Sequence, residues 1–318
     1  MSEPILAVID IGSNSLKLLV AAPGKSGGPE LRVLFQEALE TRISGGMGKN
    51  QSQLSEAGMA TGVQAITRLL ELARPYSPTQ LRIVATSAVR DAVNRADFAA
   101  RVLAAVGAPL EILSGEDEAR LIARGIQTDP ALDGVREFCV TDLGGGSLEC
   151  VRYEAGKITR AISLQLGAVR LTEKFAPNPR GPFDAAARAA IAAETLHQLS
   201  ASGFRFIPGG LVVGTGGAFT VARAILANRR GFIAKETWPA ELPRAGLAAL
   251  LDEIAPLTAA ERAKIPRLTP ERADIMPAAL TTILALLDFA GATRALHSFN
   301  NLRFGVAAAC FAQLQNER

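Results

Sequence analysis

The sequence predicts an α/β protein built from two copies of one unit. Two segments, VIDIGSNSLKLLV from Val8 and VTDLGGGSLECV from Val140, place Asp, Gly, Ser and Leu at the same relative positions. The two acids give the offset without any gap, since 142 − 10 = 132 residues. A chain of 318 residues is longer than one hydrophobic core usually serves, so two domains of about 150 residues are expected. The repeat agrees with that division.

The first half of the chain is predicted to form three strands followed by alternating helices and strands. Runs rich in Val, Ile and Leu, broken by Gly, Asn and Pro-Gly turn signals, predict the strands. A long helical pattern that ends near Pro75 predicts the first helix. The predicted strands are 5–10, 15–22, 31–38, 81–85 and 110–113, and the predicted helices are 54–73, 94–106 and 115–127.

The second half repeats this order, which explains both the chain length and the repeated motif. Its predicted strands are 137–142, 147–153, 156–165, 210–214 and 293–298. Its predicted helices are 168–175, 184–202, 217–227, 244–255, 258–264 and 271–290, with a final helix from about 302. We therefore predict a first domain at 1–133 and a second at 134–302, with the helix at about 303–318 free to pack back on the first.

Composition and charge exclude several classes of protein. A hydrophobic content of 48% with 20% charged residues is typical of a globular domain with a core. The 34 basic and 31 acidic residues leave a net charge of +3, too small to predict binding to duplex nucleic acid. The N-terminal apolar run stops at Asp10, and no apolar run approaches the roughly 20 residues of a spanning helix. We therefore expect no membrane association and a cytoplasmic location.

Cysteines and histidines give no sign of a metal or nucleophile site. Cys139, Cys150 and Cys310 lack the spacing of metal ligands and are interpreted as buried free thiols. His197 and His297 each stand alone among apolar neighbours, which favours structural roles. Zinc sites and histidine-dependent triads are therefore poor candidates.

Each repeated segment contains a turn of small residues between two strands, here named the first loop (Gly12–Ser15) and the second loop (Gly144–Ser147). A turn of this kind leaves consecutive backbone N–H groups for an anion, which can approach without meeting a Cβ atom. One such turn alone is more simply a hairpin, but two in register favour phosphate binding. The candidate phosphate-binding residues are Gly12, Ser13, Asn14, Ser15, Gly144, Gly145, Gly146 and Ser147.

An acid ends the strand before each loop. Asp10 and Asp142 repel phosphate and are better placed to hold Mg²⁺, directly or through water. A third glycine turn, VVGTGGAF from Val212, opens a helix whose N-terminus attracts anions. Close packing of strand and helix explains that turn equally well.

The segment LSGEDEARLIARG, from Leu113, predicts a capped helix that carries an unusual acid. Ser114 is a good N-cap residue, and Glu116 can pair with Arg120 four positions on. Glu118 shares a helical face with Leu121, Ile122 and Gly125, and no basic residue stands three or four positions after it. An acid on an inward apolar face is either costly or functional. We interpret Glu118 as the residue that activates water.

The segment ATSAVRDAVN, from Ala85, places Arg90 just past the end of a buried-type strand. Ligands of α/β sheets bind at such strand ends. Arg90 alone is equally well a surface charge or a phosphate clamp.

Seven segments in one order together resemble a known family. They are IDIGSNS, ATSAVRDAVN, SGEDEARL, VTDLGGGSLE, QLGAVRL, VVGTGG and ERADIMPAAL, and the match as a whole runs from about Ile5 to Ala309. Together they are similar to the exopolyphosphatase and guanosine pentaphosphate phosphohydrolase family. The resemblance implies the duplicated actin-like, ribonuclease H-like ATPase superfold, with the active site in a cleft between the two domains.

The resemblance also implies a hydrolase that depends on Mg²⁺, with Mn²⁺ as the alternative. Its substrate is inorganic polyphosphate or guanosine pentaphosphate, from which it removes the terminal phosphate, and a homodimer is expected. The family's catalytic glutamate matches Glu118, and its arginine after the Thr-Ser strand end matches Arg90. The remaining matches are Asp142, Glu149 and Asp10 for the metal, and both loops with Arg42 for phosphate.

The sequence departs from the family's pattern in its second half. The segment SFNNLRFGV has Asn301 where the family usually has Gly and Phe304 where it usually has Glu, and Ala218 replaces a common Thr. These changes concern substrate preference more than chemistry. We expect no further domains of the kind that longer members carry, and therefore a preference for short polyphosphate.

Two other classes of function stay open at this point. A sugar or acetate kinase of the same superfold also places two phosphate turns across a cleft, and stabilisation by ATP-Mg but not by polyphosphate would favour it. A noncatalytic sensor of polyphosphate or of a guanosine alarmone would bind tightly without releasing phosphate. The position of Glu118 in the SGEDEARL helix favours the hydrolase over both.

Overall fold

A computed structural model describes residues 3–24, 31–47 and 52–316 of the chain. The chain divides into two compact units. The first consists of Met1–Gly134 with Asn300–Arg318, and the second of Val135–Phe299. Residues 317 and 318 of the predicted final helix lie outside the described residues.

The first unit begins with three strands and continues with alternating helices and strands. Its elements are β1 (Leu6–Ile11), β2 (Ser15–Pro23), β3 (Leu31–Glu40), α1 (Glu56–Ala73), β4 (Gln80–Ala85), α2 (Ser87–Asp91), α3 (Arg95–Val106), β5 (Leu110–Ile112) and α4 (Gly115–Ile126). The side chain of Ser55 caps α1 by accepting from the Gly58 N–H at 3.0 Å. This is the kind of polar residue that starts a helix by satisfying a terminal donor.

The second unit has the same order with additions near its end. Its elements are β6 (Phe138–Leu143), β7 (Leu148–Glu154), β8 (Lys157–Leu164), α5 (Ala168–Phe175), α6 (Ala185–Ala201), β9 (Leu211–Thr215), α7 (Gly217–Arg229), β10 (Glu241–Pro243), α8 (Arg244–Ile254), α9 (Ala259–Arg262), α10 (Met276–Ala290) and β11 (Arg294–His297). The chain then returns to the first unit with α11 (Leu302–Asn316).

The two sheets have equivalent topologies. The first sheet has the order β3-β2-β1-β4-β5, and the second has the order β8-β7-β6-β9-β11-β10. In each sheet the first three strands of the unit pair antiparallel, and the next strands add in parallel beside the first. The antiparallel edge strand β10 is the addition. The two-copy α/β fold predicted from the sequence is confirmed.

The central strands are buried along their whole length. Every residue of β1 and of β6 is buried, as expected for strands covered on both faces by helices. Asp10 and Asp142 therefore lie on core strands, one residue before the strand ends. Cys139 and Cys150 are buried free thiols, as predicted, and burial raises the pKa of both.

Three local features differ from the prediction. The residues after β4 form a short helix, α2, where none was predicted, and the stretch read as irregular at 228–243 ends in strand β10. Helix α10 starts at Met276 with Pro277 in its first turn, not at 271, because proline fixes a helical φ without needing an N–H acceptor. None of the helices in the described part of the chain is long and apolar enough to cross a membrane.

Helices α4 and α11 pack backbone to backbone through two glycines. A methyl group at Gly125 would overlap the carbonyl of Asn301, and one at Gly305 would overlap the carbonyl of Leu121. Only glycine permits so close an approach. The contact matters for function because α4 carries Glu118.

Candidate active site

The first unit gathers its candidate residues at one edge of its sheet. Ile11 pairs with Ala85, and Ala85 pairs with Ile112, so three parallel strands end side by side. The first loop follows β1, α2 follows β4, and α4 follows β5. Ligands of open α/β sheets bind outside the carboxyl ends of their strands. The fold thus brings the first loop, Arg90 and the start of α4 to the ligand-binding edge.

The first loop is a tight hairpin, and the carbonyl groups of Ser13 and Ser15 accept hydrogen bonds that hold it in place. The Gly12 N–H donates to the Ser15 carbonyl at 3.1 Å, and the Ser13 carbonyl accepts from the N–H and the hydroxyl of Ser44 at 3.3 and 3.0 Å. A carbonyl and the N–H that follows it point in opposite directions across a trans peptide. The N–H of Asn14 therefore points away from Ser44, as a phosphate nest requires.

Arg42 holds the tip of the first loop. The N–H groups of Thr41 and Arg42 donate to the Asn14 carbonyl at 3.0 and 2.9 Å, and Arg42 Nε donates to Asn14 Oδ1 at 3.1 Å. Asn14 Nδ2 donates to Glu40 at 2.6 Å, so this amide fixes the loop. Arg42 has a φ of 44°, which is strained for a residue with a side chain and is commonest at functional sites.

Glu118, which is buried, forms an ion pair with the half-buried Arg90. Arg90 Nη1 donates to Glu118 Oε2 at 2.6 Å and to the Leu113 carbonyl at 3.3 Å. The carboxylate of Asp91 lies 3.7 Å from Arg90 Nε. Glu118 is only 5% exposed, so it is the inward acid that its helical position predicts. Its partner comes from α2 and not from its own helix.

The start of α4 is built as predicted. Ser114 is the N-cap and accepts from the Asp117 N–H at 3.1 Å. Glu116 pairs with Arg120 on the exposed face at 2.7 Å. The carboxylate of Glu118, in the first turn, is stabilised by the positive end of the helix.

Asp10 lies next to a buried arginine from the last helix. Burial raises the pKa of Asp10, while the charges of Lys17 and Arg303 oppose this shift. Arg303 is 7% exposed and donates to the Leu18 carbonyl at 2.7 Å. Burial lowers the pKa of Arg303 to about 10 even though Asp10 favours its charged form. Asp10 Oδ1 is buried without a hydrogen-bond partner among the described residues.

The second loop repeats the hairpin of the first. The Gly144 N–H donates to the Ser147 carbonyl at 3.0 Å, the same bond at an offset of 132 residues (144 − 12). Three consecutive amides at the start of α5 then donate to this loop. They are Ala168 N to the Gly144 carbonyl at 3.0 Å, and Val169 N and Arg170 N to the Gly145 carbonyl at 2.9 and 3.2 Å. The N–H groups that follow these carbonyls, those of Gly145 and Gly146, therefore point away from α5.

Glycine is needed beside the second loop, at Gly167, for close approach and not for backbone angles. Among the described residues with positive φ, none lies in either loop. A methyl group at Gly167 would instead overlap the backbone of Gly145 and Gly146. The start of α5 is thus pressed against the loop, which fixes the direction of its amides.

Asp142 and Glu149 are direct cross-strand partners in the pairing of β6 with β7. Both are buried, at 9% and 2% exposure, and Glu149 Oε1 accepts from the Ser163 hydroxyl at 2.7 Å. Directly opposed like charges destabilise a sheet, so this pair favours a bound cation. The equivalent pair in the first unit is Asp10 with Lys17, where the lysine supplies the positive charge.

The third glycine turn lies beside Asp142. Gly216 has a φ of 96°, and a methyl group there would overlap Asp142 Oδ1. A methyl group at Gly217 would meet the guanidinium of Arg272. The sequence did not single out Arg272, Arg170 or Arg303 as site residues, although each belongs to a segment that contributed to the resemblance or to its departures.

The chain matches the model of the Ppx/GppA phosphatase family over residues 19–307. The chain belongs to the Ppx/GppA phosphatase family. It is accordingly a hydrolase that acts on phosphoanhydride bonds.

Solved structures agree with this membership. A Ppx-GppA enzyme of Aquifex aeolicus is 26% identical with a TM-score of 0.77, and the match covers 97% of this chain and 100% of that one. An exopolyphosphatase of Cytophaga hutchinsonii is 22% identical with a TM-score of 0.84, over 97% and 98% of the two chains. An exopolyphosphatase-like protein is 22% identical with a TM-score of 0.87, over 99% and 100%. The last two likenesses support the actin-like fold.

Ppx/GppA phosphatases in general depend on divalent metal ions, and the carboxylates of this chain fit such an ion. Within residues 3–24, 31–47 and 52–316, no three His, Cys, Asp or Glu side chains are placed to hold a metal by themselves. Mg²⁺ does not need such a cage, because it usually takes one or two carboxylates and keeps water and substrate phosphate as further ligands. In the second unit the opposed pair Asp142 and Glu149 offers two such carboxylates, and in the first unit Asp10 offers one with a buried oxygen that has no hydrogen-bond partner among the described residues.

His297 is buried in this phosphatase and held by hydrogen bonds at both ring nitrogens. Its Nδ1 accepts from Arg223 Nη1 at 3.0 Å, and its Nε2 lies 3.2 Å from the Thr220 hydroxyl. The hydroxyl itself donates to the Gly216 carbonyl at 3.0 Å, so Nε2 carries the imidazole proton. Burial, reinforced by Arg223 and Lys235, lowers the pKa of His297 to about 3.

A neutral His297 predicts a loss of stability in acid. Below its ordinary pKa of 6.5, the unfolded chain binds a proton that the folded chain rejects. Stability should therefore fall by up to about 1.4 kcal/mol per pH unit as the pH drops from 6.5 towards 3. His297→Gln should remove this contribution, measured as denaturant unfolding at pH 6.5 and 4.5. His197→Gln, at an exposed position of α6, is the control, and equal pH slopes in all three proteins would contradict the assignment.

Proposed function

We propose that this phosphatase is an exopolyphosphatase, which releases terminal orthophosphate from inorganic polyphosphate by attack of water. The observation that carries the proposal is the ion pair of Glu118 with Arg90, 2.6 Å apart, at the ligand-binding edge of the first sheet. A buried carboxylate beside a phosphate-binding cation is the arrangement that water activation on a phosphoryl group requires.

Glu118 is the general base in this proposal. A base must be ionised and within hydrogen-bond reach of the water that it orients. Arg90 and the positive end of α4 both favour the ionised carboxylate. Glu118 accepts the proton of the water as the oxygen attacks phosphorus, and the bond to the leaving phosphate breaks in line with the attack.

The loops and the arginines bind the phosphoryl oxygens. Backbone N–H groups that are fixed before the reaction stabilise developing negative charge without reorganising. In the first loop they are fixed by Ser44 and Arg42, and in the second by the start of α5. Arg90 and Arg42 add positive charge at the first loop.

Mg²⁺, when bound, neutralises charge on the phosphoryl oxygens and on the leaving group. Asp142 and Glu149 in the second unit and Asp10 in the first are the residues that would hold it. Removal of the metal with EDTA is expected to abolish phosphate release, and added Mg²⁺ to restore it. Full turnover in excess chelator would contradict this assignment of the three carboxylates.

Phosphate release from three substrates tests the proposed function. Short polyphosphate, long polyphosphate and guanosine pentaphosphate are compared, each with Mg²⁺ and with Mn²⁺. We expect the highest kcat/KM with polyphosphate. A higher value with guanosine pentaphosphate would make the protein an alarmone phosphohydrolase. Tight binding without release would make it a sensor, and thermal stabilisation by ATP-Mg alone would make it a kinase.

Three finer expectations from the sequence are also proposed. We propose a preference for short polyphosphate chains, a homodimeric state and a cytoplasmic location. The same substrate panel tests the first, because a strong preference for chains of hundreds of phosphates would contradict it. Light scattering of the purified protein tests the second, and fractionation of cells tests the third.

A further inference from the structure

A second group of charged residues lies at the ligand-binding edge of the second sheet. Strands β6, β9 and β11 are parallel neighbours, so their carboxyl ends lie at one edge, and Phe299 follows the end of β11. Strand β10 is antiparallel to β11, which brings Trp238, just before the start of β10, to the same edge. Neighbouring strands are about 4.8 Å apart, so the ends of β6 and β11 are separated by about 10 Å.

Phe299 is the centre of this group. The Lys235 ammonium lies 4.1 Å from the centre of the Phe299 ring, and the guanidinium carbon of Arg223 lies 4.6 Å from it. The Trp238 ring lies 6.4 Å from the Phe299 ring, and the guanidinium carbon of Arg267 lies 5.6 Å from the Trp238 ring. These three cations and two rings are named here the cation-aromatic cluster.

Hydrogen bonds hold the cluster in place. Arg223 is 8% exposed and donates to the His297 carbonyl at 3.2 Å and to the Trp238 carbonyl. Arg267 Nη2 donates to the Ile233 carbonyl at 3.0 Å. Lys235 and Arg267 are exposed. The buried arginine thus supports the rings from within, while the other two cations are in contact with solvent.

The aromatic contacts hold the cations without cancelling their charge, because an aromatic ring is neutral overall. The resulting field reaches the core of the unit. Burial lowers the pKa of His297 to about 3, and the charges of Arg223 and Lys235 add to this shift. A field that disfavours a positive imidazole favours an anion at the same place.

The chain connects the cluster with the third glycine turn beside Asp142. Arg223 lies in the second turn of α7, the helix that begins at Gly217. Arg267 lies five residues before Arg272, whose guanidinium a methyl group at Gly217 would meet. A chain of phosphates that is bound by its end near Asp142 can therefore reach the cluster by extending along the edge of one sheet.

The cations on the rings favour one kind of anion. Single-stranded nucleic acid binds aromatic side chains by stacking its bases on their faces. In the cluster Phe299 carries two cations and Trp238 carries one. The rings therefore present charge and not a stacking surface, which suits a polyanion made of phosphate alone.

We propose that the cation-aromatic cluster is a second phosphate-binding site, which holds phosphoryl groups of polyphosphate beyond the group that is released. This deepens the proposed function and rests on it, because the site binds the remainder of the same substrate. A separation of about 10 Å along the sheet edge is short enough for a chain of modest length to occupy both places. The second phosphate group of guanosine pentaphosphate has the same chemistry, so that compound is included in the test.

Two variants remove the exposed charges of the cluster, Lys235→Gln and Arg267→Gln. Lys235→Arg keeps the charge. Lys157→Gln is the matched control, because Lys157 is an exposed lysine of the same unit on β8, the strand at the opposite side of the sheet. Calorimetry at several salt concentrations measures the binding of pyrophosphate, of a medium-length polyphosphate and of guanosine pentaphosphate. A Glu118→Gln background suppresses turnover, and KM and kcat are measured in the otherwise wild-type chain.

We expect each of the two charge-removing variants to raise the Kd and the KM of the medium-length chain by about 3- to 10-fold. The binding of that chain should also depend less on salt, since one ionic contact is lost. The Kd of pyrophosphate should not change, because two phosphoryl groups cannot occupy both places, and kcat should not change, because the cluster does not touch the reacting atoms. Lys235→Arg and Lys157→Gln should bind as the parent does, and thermal midpoints show that the fold is kept.

Three results would overturn the proposal. One is an unchanged Kd of the medium-length chain in both charge-removing variants. Another is an equal loss for pyrophosphate and for the longer chain, or an equal loss in Lys157→Gln, which would show a general effect of charge or of folding. The third is a loss confined to guanosine pentaphosphate, which would assign the cluster to the alarmone. Failure of the proposed function is distinguishable, because the calorimetry reads binding without turnover.

Discussion

Glu118→Gln is expected to fold as the wild type does and to release phosphate about 10²- to 10⁴-fold more slowly. The amide keeps the shape of the side chain and can still accept from Arg90 Nη1, which lies 2.6 Å from the carboxylate. It cannot take a proton from water. Phosphate release is measured at saturating polyphosphate, with circular dichroism and a thermal midpoint to show that the fold is kept.

The same helix provides the control for this experiment. Glu116→Gln removes an equal charge two residues earlier, on the exposed face, where Glu116 pairs with Arg120. It should leave turnover close to that of the wild type, since exposed pairs contribute little. Glu118→Ala should lose activity as Glu118→Gln does, with an added loss of stability because Arg90 keeps its charge without its partner. Near-wild-type turnover in a folded Glu118 variant would exclude it as the base.

Most of the fold could be predicted from the sequence because apolar periodicity and turn residues, which are local patterns, specify its strands and helices. Apolar runs and turn signals predicted the strands that lead into each loop, and the offset of 132 residues (142 − 10) predicted that the two sheets repeat one topology. The short helix α2 was not predicted because its five residues are too few for a helical period to show. Strand β10 was not predicted because three residues of an edge strand are too few to show an alternation of apolar and polar residues.

The candidate residues could be singled out one by one, but their pairings could not. Glu118 was singled out because an acid stood on an apolar face without a basic residue at helical spacing. Arg90 was singled out by its place after a strand end together with the family resemblance. That these two meet depends on the register of β4 with β5, which brings α2 beside the start of α4, and no local pattern fixes that register.

Arg170 and Arg303 were missed for the same physical reason. Arg170 is recognisable only by what it touches, a loop carbonyl 24 residues away. From the sequence, Arg303 is an ordinary helix residue. In the structure α11 belongs to the first unit, and Arg303 is buried near Asp10. Contacts between separate elements leave no period in the sequence, so only the folded chain shows them.

The departure at Asn301 is explained by the contact between α4 and α11. The carbonyl of Asn301 accepts from the Gly305 N–H at 3.1 Å and lies against Gly125. The backbone of residue 301, and not its side chain, makes this contact, so a glycine is not required there. Phe304 is buried at 4% exposure, so an apolar side chain packs where the family usually has the carboxylate of Glu.

Gly305→Ala is expected to lower the free energy of unfolding by about 1–3 kcal/mol or more. The added methyl group would overlap the Leu121 carbonyl and crowd the Gly125 N–H. These are backbone atoms within a regular helix, so neither can move aside as the end of a flexible side chain can. The two helices must separate, and the loss is measured as a shift in the denaturant midpoint at constant m-value.

The same substitution should also reduce turnover. Helix α4 carries Glu118, and a displacement of about 1 Å in a catalytic group can cost about 10²-fold in rate. Neither Gly305 nor the two residues that its added methyl group would meet, Leu121 and Gly125, is assigned to substrate. A loss of kcat with little change in KM would therefore show that helix packing positions the base. Gly125→Ala, on the facing helix, should reproduce both effects, because its methyl group would overlap the Asn301 carbonyl.

Gly246→Ala is the matched control for the methyl group itself. Gly246 lies within helix α8, where the nearest atom to an added methyl group is a Leu226 side-chain carbon at 3.6 Å. Alanine at such a site should be neutral or stabilise the protein by up to about 1 kcal/mol, because it restricts the unfolded chain. Gly305→Ala shares that gain in the unfolded state, so its net loss underestimates the clash. Equal stability of the two variants would mean that α4 and α11 separate at no cost, and their contact could not then be what positions Glu118.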